Sequence, residues 1–514
     1  MEGNITLIHN ENHIEVDKQK LASKSCYFAS LFSHNFNDSH NKEYVINYNI
    51  TFSTLQNFVE WIQDDEAPTY SQYNSIKVSL IKFIKHDFIE LLNLLQLSIL
   101  FAADELSDDV TDVIISHWLL PEKIIDIWLL AQELSLKTLQ DVCLSVCLDR
   151  FEELPVPLLT ELTKDNITQL IANVNVRSSI EYLNLIRNEW MKYHRTLDIM
   201  EIKDKRELKF IHGTIIYNMC ESVNKDAFLY TWNGNDLSKC IQLKNVRDSG
   251  SDIIGMQVAS RGFSMYTIGG EKGLGTGKFN DIIWRYCLLS KKWYYQAHLP
   301  VPRRHMVAVF LKDKLVVAGG VGRRRLKLNT VDILHIHSGN WTKCTSKMPE
   351  SFTEVPPHCV FNGKLFLLKS SIYIYSIETN DWQIISIENP ARQSVAFLTH
   401  DRTLFSTGEY LGEMVLSRID AKVSVCEKGD CLQQCVEHRV INIMDTVPVH
   451  QDDSYRIRYV CVGGFDIIIL NTDRDEKHQY LHLHTQRRKD FENCFIPTLR
   501  CISIIDPNTL YDTL

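Results

Sequence analysis

Long apolar segments are scarce in this chain of 514 residues. Its first residues, MEGNITLIHNENHIEV, are polar and acidic and lack the apolar stretch of a signal peptide, so we expect no secretory signal. The most apolar run, residues 88–103, is interrupted by Asn93, Gln96 and Ser98 and is too short to cross a bilayer. The sequence therefore predicts a cytoplasmic protein, with the nucleus as a second location, and no membrane partner.

An excess of positive charge is also missing. The 55 Lys and Arg residues are outnumbered by 64 Asp and Glu residues, which gives a formal net charge of −9. This balance argues against nucleic acid as the main partner, because nucleic acids attract proteins through basic residues. The 14 cysteines, without a secretory signal, indicate reduced thiols rather than disulfides.

Patterns typical of metal or cofactor sites are incomplete. CEKGDC at 426–431 and the nearby Cys435 have no second CxxC pair, and their spacing fits no standard zinc site. GEKGLGTGK at 270–278 is similar to a phosphate-binding loop, but Lys278 is followed by Phe279 rather than by Ser or Thr. No Ser-His-Asp or paired-carboxylate arrangement follows from the spacing of such residues. We therefore expect no catalytic residues, no metal and no cofactor.

Glycine is sparse, with 21 residues, but two Gly-Gly pairs mark a repeat. GFSMYTIGG (262–270) precedes DIIWRYCLLSKKW (281–293), and DKLVVAGG (313–320) precedes VDILHIHSGNW (331–341). The two pairs are about 50 residues apart, which is the length of one four-stranded propeller blade. Glycines at the strand ends allow close approach or positive φ. One blade buries only part of its apolar surface, so several must stack around an axis.

The pattern resembles the kelch repeat, and this resemblance implies an all-β kelch propeller over residues 206–514. A third unit at 361–382 has Lys369-Ser370 in place of the Gly-Gly pair, so we expect an irregular blade there. Further strand patterns occur at 210–232, 402–410 and 458–470. Together they indicate about six blades, with about five as the alternative.

The N-terminal part reads as a small α/β module. Its periodicity predicts strands at 5–8, 13–16 and 44–48, and helices at 20–32 and 51–62, the last capped by Thr51. The string IEVDKQKLASKSCYFASLF resembles the BTB (POZ) domain. The residues that match the pattern of that family are Val16, Lys18, Leu21, Ala22, Ser23, Ser25, Tyr27 and Phe28. The resemblance implies an α/β BTB domain over residues 1–118.

Two departures from the BTB pattern bear on oligomeric state. Kelch-family BTB domains form homodimers by exchanging an N-terminal helix and strand, and almost nothing precedes Asn4 here. The Asp that the family usually has at the start of the first core strand is also replaced here, by Asn4. A homodimer through the BTB domain is therefore left open. Separately, residues 64–85 are longer than the family pattern and indicate a surface insertion.

The BTB resemblance also places a cullin-3 contact in the loop after the helix that carries Tyr27. The family has an apolar residue, any residue and Glu at this point, and the aligned residues are Phe36, Asn37 and Asp38. An exposed aromatic supplies desolvated area at an interface, and an acid beside it sets the register. The alternative is a solvated loop in which Phe36 packs into its own domain.

Helix follows helix in the next segment, at 94–106, 107–119, 121–134 and 135–151. Ser107 and Ser135 are predicted N-caps, and Pro121 suits a first turn. FEELPVPLLTELTKD (151–165) and SIEYLNLIRNEWMKYH (179–194) resemble the BACK domain that follows BTB in kelch-like proteins. The resemblance implies an all-α BACK domain over residues 119–205.

In this family the first BACK helices pack against the cullin. The corresponding residues here are Ile124, Ile127 and Trp128. Apolar side chains at helical spacing more often form a core, and this is the alternative.

Kelch propellers hold their partner at a mouth lined by the loops after the Gly-Gly pairs and by the loops between blades. The resemblance assigns to the first class Glu271, Lys272, Arg323, Arg324, Arg325, Phe465 and Asp466, and to the second class Arg303, Arg304 and His305. Two arginine-bearing loops suit an acidic peptide, because the planar guanidinium binds a carboxylate at two points. The alternative is that Arg303 braces the propeller internally and that 323–325 is a solvated turn.

The ordered combination of BTB, BACK and kelch is identified with kelch-like proteins that act as substrate adaptors of cullin-3 RING ubiquitin ligases. The implied role is non-catalytic: one end binds cullin-3, and the propeller mouth holds an unknown target protein near the ubiquitin-conjugating enzyme. The alternative function is an interaction scaffold, for example on actin, without the cullin contact. Neither function requires catalytic residues in this chain.

Overall fold

The computed structural model describes residues 3–33, 41–64, 76–173, 176, 178–196, 202 and 253–386, without 262, 274, 288, 357 and 362, and in addition the backbone of further strands. The chain divides into two compact units. The first contains Met1–Asp204, Cys287–His298 and Ile336–Gly339, and the second contains the remaining residues.

The chain begins with a three-stranded sheet. It consists of β1 (Asn4–His9), β2 (Asn12–Asp17) and β3 (Glu43–Val45) in the order β2-β1-β3. Strands β1 and β2 form an antiparallel hairpin with Asn10 and Glu11 at its turn, and β3 runs parallel to β1. Alternation of apolar side chains therefore predicted these three strands correctly.

Ten α-helices are described between residues 18 and 193. They are α1 (Lys18–Lys24), α2 (Cys26–Leu31), α3 (Phe52–Gln63), α4 (Phe88–Leu100), α5 (Asp104–His117), α6 (Pro121–Glu133), α7 (Lys137–Asp149), α8 (Val156–Glu161), α9 (Lys164–Ile171) and α10 (Ile180–Tyr193). Short 3-10 helices occupy Val78–Ile84 and Phe151–Glu153. None of these helices combines the length and the apolar character that a membrane crossing needs.

The apolar side chains of the first helices meet in an aromatic cluster. Phe28, Phe58 and Phe101 are fully buried, and their rings lie 5.0–6.3 Å apart at their centroids. The Oγ of Ser25 donates to the carbonyl of Phe101 at 2.6 Å, which fixes α2 against the end of α4. Two residues of the BTB-like string, Ser25 and Phe28, therefore hold this core together.

The helix starts confirm some predicted caps and correct others. Thr51 caps α3, with its Oγ1 accepting from the N–H of Thr54 at 3.0 Å, and Pro121 occupies the first turn of α6. The prediction for Ser107 was wrong, because α5 begins at Asp104 and Ser107 lies inside it. Ser135 is not a cap either, since it has a φ of 56° and Leu136 stands at the cap position.

Small sheets make up the strand-rich part of the chain. Their strands are β4 (Ile215–Tyr217), β5 (Ala227–Trp232), β6 (Leu237–Gln242), β7 (Ile253–Ile254), β8 (Gln257–Arg261), β9 (Ser264–Ile268), β10 (Glu271–Lys272), β11 (Ile282–Cys287), β12 (Lys292–His298), β13 (Val307–Leu311), β14 (Lys314–Ala318), β15 (Val331–His335), β16 (Asn340–Lys343), β17 (His358–Phe361), β18 (Lys364–Leu368), β19 (Ser371–Ser376), β20 (Asp381–Ser386), β21 (Arg392–Leu398), β22 (Leu404–Tyr410), β23 (Glu413–Ile419), β24 (Val436–Val440), β25 (Ile457–Gly463), β26 (Asp466–Thr472) and β27 (Leu481–Arg487).

These strands form four sheets of four strands and two sheets of three strands. In chain order the sheets are β4–β6, β8-β9-β11-β12, β13–β16, β17–β20, β21–β24 and β25–β27. The remaining strands, β7 and β10, pair with each other. The first strands β8, β13, β17, β21 and β25 contact one another in succession. This succession agrees with the spacing of the sequence repeat, and the closed kelch propeller stays a prediction.

The sheet that lacks a Gly-Gly pair is regular, so the expected irregularity was wrong. Its strands β17, β18, β19 and β20 pair in an unbroken antiparallel register. Register shifts occur instead between β5 and β6, between β21 and β22, and between β25 and β26. Lys369 and Ser370 adopt the turn in this sheet with the help of side-chain contacts described below.

Candidate functional site

The arginine hairpin, residues 321–327, joins β14 to β15. Val321 and Lys327 pair across it, and the N–H of Gly322 donates to the carbonyl of Leu326 at 2.9 Å. At its tip the N–H of Leu326 donates to the carbonyl of Arg323 at 3.2 Å. Arg324 and Arg325, the two central residues, have φ of 56° and 58°. Positive φ at both central positions is the signature of a type I′ turn.

Arginine is energetically unfavourable at the two central positions of such a turn. A type I′ turn favours Asn-Gly or Asp-Gly, and each other residue in the left-handed region costs roughly 1–2 kcal/mol. The side chains from Arg323 to Lys327 are all exposed, with Leu326 at 63%. Strained residues of this kind often mark functional sites.

The glycine loop, residues 270–280, lies beside the arginine hairpin. It is closed by hydrogen bonds from the N–H of Lys272 to the carbonyl of Lys278 at 2.7 Å and from the N–H of Gly277 to Oε1 of Glu271 at 2.7 Å. A Cβ atom at Gly275 would lie 3.9 Å from Nη2 of Arg325. The structure therefore brings together the two loops that follow the Gly-Gly pairs.

Arg304 ties the loop before β13 to both of these loops. Its Nε lies 3.3 Å from Oε2 of Glu271, and its backbone exchanges hydrogen bonds of 2.9 and 2.8 Å with Val321. The side chains of this ion pair are only 12% and 4% exposed. Arg304 and Glu271 thus neutralise each other. The pair holds the glycine loop and the arginine hairpin in place and contributes little net charge to their surface.

His305, next to Arg304, is half-buried. Its N–H donates to the carbonyl of Gly255 at 2.9 Å. Burial lowers the pKa of His305, and the charge of Arg304 lowers it further, against the opposing carboxylates of Glu354 and Glu271. Burial and the charge of Arg304 therefore favour the neutral form of His305.

Arg303 is fully buried, which corrects its assignment as a target contact. Its guanidinium donates to the carbonyl of Gly319 at 3.2 Å, its Nε donates to the carbonyl of Val301 at 3.0 Å, and its Nη2 pairs with Asp332. Burial lowers the pKa of Arg303, and the neighbouring charge of Asp332 opposes that effect. The internal bracing role that the sequence offered as an alternative is the one that fits this geometry.

The helical candidates for the cullin contact are buried as well. Ile124, Ile127 and Trp128 lie in α6 with no exposed surface. A partner cannot reach side chains with no exposure, so the alternative of core packing replaces their assignment as contacts. The helical spacing of these three residues was predicted correctly, but the face that they share is the buried face of the helix.

Other predicted site residues lie outside the described side chains. Phe36, Asn37 and Asp38 fall in the range 34–40, which lies outside the described residues, and so does Phe465. Asp466 begins β26, where its backbone pairs with Gly463. The segment 426–435 with its cysteines is also outside the described residues. Within the described side chains, no group of three or more His, Cys, Asp or Glu residues is arranged as metal ligands would be.

Sequence reasoning missed two residues of the arginine hairpin. Leu326 and Lys327 continue the exposed run that begins at Arg323. The string RRRLK itself was the available signal, since Lys327 extends the run of cations in the same short loop.

Sequence reasoning also missed a group of polar contacts around Glu350, here called the clasp, which consists of Glu350, Lys369, Ser370 and Tyr373. Lys369 Nζ lies 2.5 Å from Oε1 of Glu350, and Ser370 Oγ and Tyr373 OH donate to its Oε2 at 2.7 and 2.8 Å. Burial would raise the pKa of Glu350, but the hydrogen bonds from these three partners and the charge of Lys369 outweigh it and lower the pKa to about 2. The Lys-Ser pair thus replaces the missing Gly-Gly pair by anchoring the turn through side chains.

The clasp predicts a specific loss of stability in acid. Because the pKa of Glu350 is lowered in the folded state, its contribution is complete above the unfolded value of about 4.5 and is lost as the pH falls toward about 2. We expect Glu350→Gln to flatten the decline in the free energy of unfolding between about pH 5 and pH 3, measured by urea denaturation. Glu161→Gln, at an exposed position of α8, is the control. An equally steep decline in Glu350→Gln and wild type would contradict the prediction.

Comparison with known proteins gives little. No family model and no curated protein sequence matches the chain. Among solved structures, the chain is similar to one titled "Structure of YjhT", with 14% identity and a TM-score of 0.31, over 43% of this chain and 73% of that chain. A likeness this weak carries no argument about fold or function.

Proposed function

We propose that this chain is the substrate-recognition adaptor of a cullin-3 RING ubiquitin ligase. In this proposal residues 1–118 form a BTB domain, 119–205 a BACK domain and 206–514 a kelch propeller of about six blades. The chain is not an enzyme itself. It holds a target protein close to the ubiquitin-conjugating enzyme, which raises the local concentration of acceptor lysines.

The observation that supports the proposal most is the order of the elements along the chain. A three-stranded sheet with its helices comes first, a run of further helices follows, and small sheets of three or four strands come last. The BTB and kelch resemblances require that order. The contacts between the first strands of successive sheets, β8, β13, β17, β21 and β25, also agree with blades around an axis.

The surface proposed for the target consists of the arginine hairpin and the glycine loop. The two loops approach each other at Arg325 and Gly275. The nearly buried ion pair of Arg304 and Glu271 holds them in place. Loops held by a rigid scaffold are the usual place for binding residues. The exposed cations of the hairpin are then available to a partner.

The cullin side of the proposal rests on Phe36 and Asp38. We expect the full chain to bind a cullin-3 N-terminal domain, and we expect the double variant Phe36→Ala, Asp38→Ala to bind at least about tenfold more weakly, which corresponds to about 1.4 kcal/mol. The aromatic would lose its desolvated contact area, and the acid would lose its ionic contact. Isothermal titration calorimetry measures both affinities directly.

A matched control removes an exposed aromatic and an exposed acid elsewhere. Tyr193→Ala, Glu181→Ala alters α10 in this way and is expected to bind cullin-3 like the wild type. Absence of binding by a folded wild-type chain would overturn the adaptor proposal and leave the interaction scaffold as the explanation of the same fold.

A further inference from the structure

We infer that the arginine hairpin selects the target, and that its ligand is an acidic peptide segment that also carries an apolar side chain. The inference rests on the proposed target binding by the loops of residues 206–514, and it does not depend on cullin-3. It concerns residues 323–327, which bear four cations and one exposed leucine.

The first argument is the chemistry of the turn. Arg324 and Arg325 occupy positions that Asn and Gly would adopt without strain. The hairpin between β1 and β2 offers a comparison within the same chain, because Asn10 and Glu11 have φ of 49° and 66° there. Such a turn therefore forms in this chain without arginine, and the presence of cations at both central positions of the arginine hairpin points to a function of their side chains.

The second argument is the balance of charge around the hairpin. Glu271 is the carboxylate of the glycine loop, and it is engaged by Arg304 and by the N–H of Gly277. Among the described residues, the exposed cations of the two loops form no ion pair. These cations are Lys278, Arg323, Arg324, Arg325 and Lys327. Within the described part of the chain, these cations form a positive surface, although the formal net charge of the whole chain is −9.

The third argument concerns the type of anion. Three consecutive arginines present planar guanidinium groups, which bind carboxylates at two points each. Leu326 is 63% exposed among them, so a partner gains most if it also offers apolar contact area. An acidic peptide offers both, whereas nucleic acid is favoured by a longer basic stripe than this short tip provides.

The test selects peptides from a random dodecapeptide display library with the full-length protein. We expect the selected peptides to be enriched in Asp and Glu and to contain a recurring Leu, Ile or Phe. A synthetic peptide of the selected consensus should bind the variant Arg324→Asn, Arg325→Gly at least about tenfold more weakly than the wild type. The same variant should raise the thermal unfolding midpoint, because Asn-Gly relieves the strain.

The control variant is Glu11→Gly, which relieves the equivalent turn between β1 and β2. It should also raise the unfolding midpoint and leave peptide affinity unchanged. Peptides without acidic enrichment, no selected peptide, equal affinity in the hairpin variant, or tighter binding of an oligouridylate of equal charge would each overturn the inference. A chain that binds the acidic peptide but not cullin-3 would keep this inference and refute the adaptor proposal.

Discussion

Replacing Arg303 by alanine is expected to lower the free energy of unfolding by about 3–5 kcal/mol, because it leaves the carboxylate of Asp332 buried without its partner. The two side chains are 0% and 5% exposed, so water cannot compensate for the lost charge. The guanidinium also satisfies the carbonyls of Val301 and Gly319, which come from two different loops. Urea denaturation of the purified chain, followed by circular dichroism, measures the change.

Two variants make this prediction specific. Arg323→Ala removes an exposed arginine from the arginine hairpin and should change stability by no more than about 0.5 kcal/mol. The pair Arg303→Met, Asp332→Leu removes both buried charges, and it should be less destabilised than Arg303→Ala alone. A loss of less than about 1 kcal/mol in Arg303→Ala would refute the bracing role.

Gly320→Ala is expected to destabilise the protein by roughly 2–5 kcal/mol, which combines a left-handed backbone with steric overlap. Gly320 has a φ of 89°, and a Cβ atom there would lie 2.6 Å from the carbonyl oxygen of Arg304 and 2.9 Å from the nitrogen of Met306. Both are backbone atoms, so no side-chain rotation relieves the overlap. The same denaturation experiment gives the loss.

Gly277→Ala separates the two causes. Gly277 has a φ of 74°, but no atom lies within 4 Å of the position of its Cβ. Its replacement should therefore cost only the backbone part, roughly 1–2 kcal/mol. Equal losses in the two variants would show that close approach at Gly320 is unimportant.

Local pattern was sufficient wherever the cause of the structure is local. The Gly-Gly pairs were predicted to allow positive φ and close approach, and Gly319 and Gly320 have φ of 63° and 89°. The cap at Thr51 and the strands of the first sheet followed from residue type and alternation. The backbone conformation in each of these cases depends mainly on residues within a few positions in the chain.

The prediction of a helix boundary was wrong where the chain changes direction without a signal in the sequence. Ala102 has a φ of 46° between α4 and α5, and this reversal starts α5 earlier than the position of Ser107 predicted. Alanine gives no sequence signal for such a conformation. It is held there by long-range contacts, including the hydrogen bond from the N–H of Cys26 to the carbonyl of Ala102 at 3.1 Å.

The sequence by itself determined the repeat length, the strands and the glycine turns of this protein. Only the tertiary structure decided which of three arginines are buried or paired. Arg303 is buried against Asp332, Arg304 is paired with Glu271, and Arg323 is exposed. These three arginines have different environments because Arg303 and Arg304 pair with carboxylates about 30 residues away in the chain, whereas Arg323 has no such partner among the described residues. Charge pairing over such separations depends on how the strands pack, and no local pattern records it.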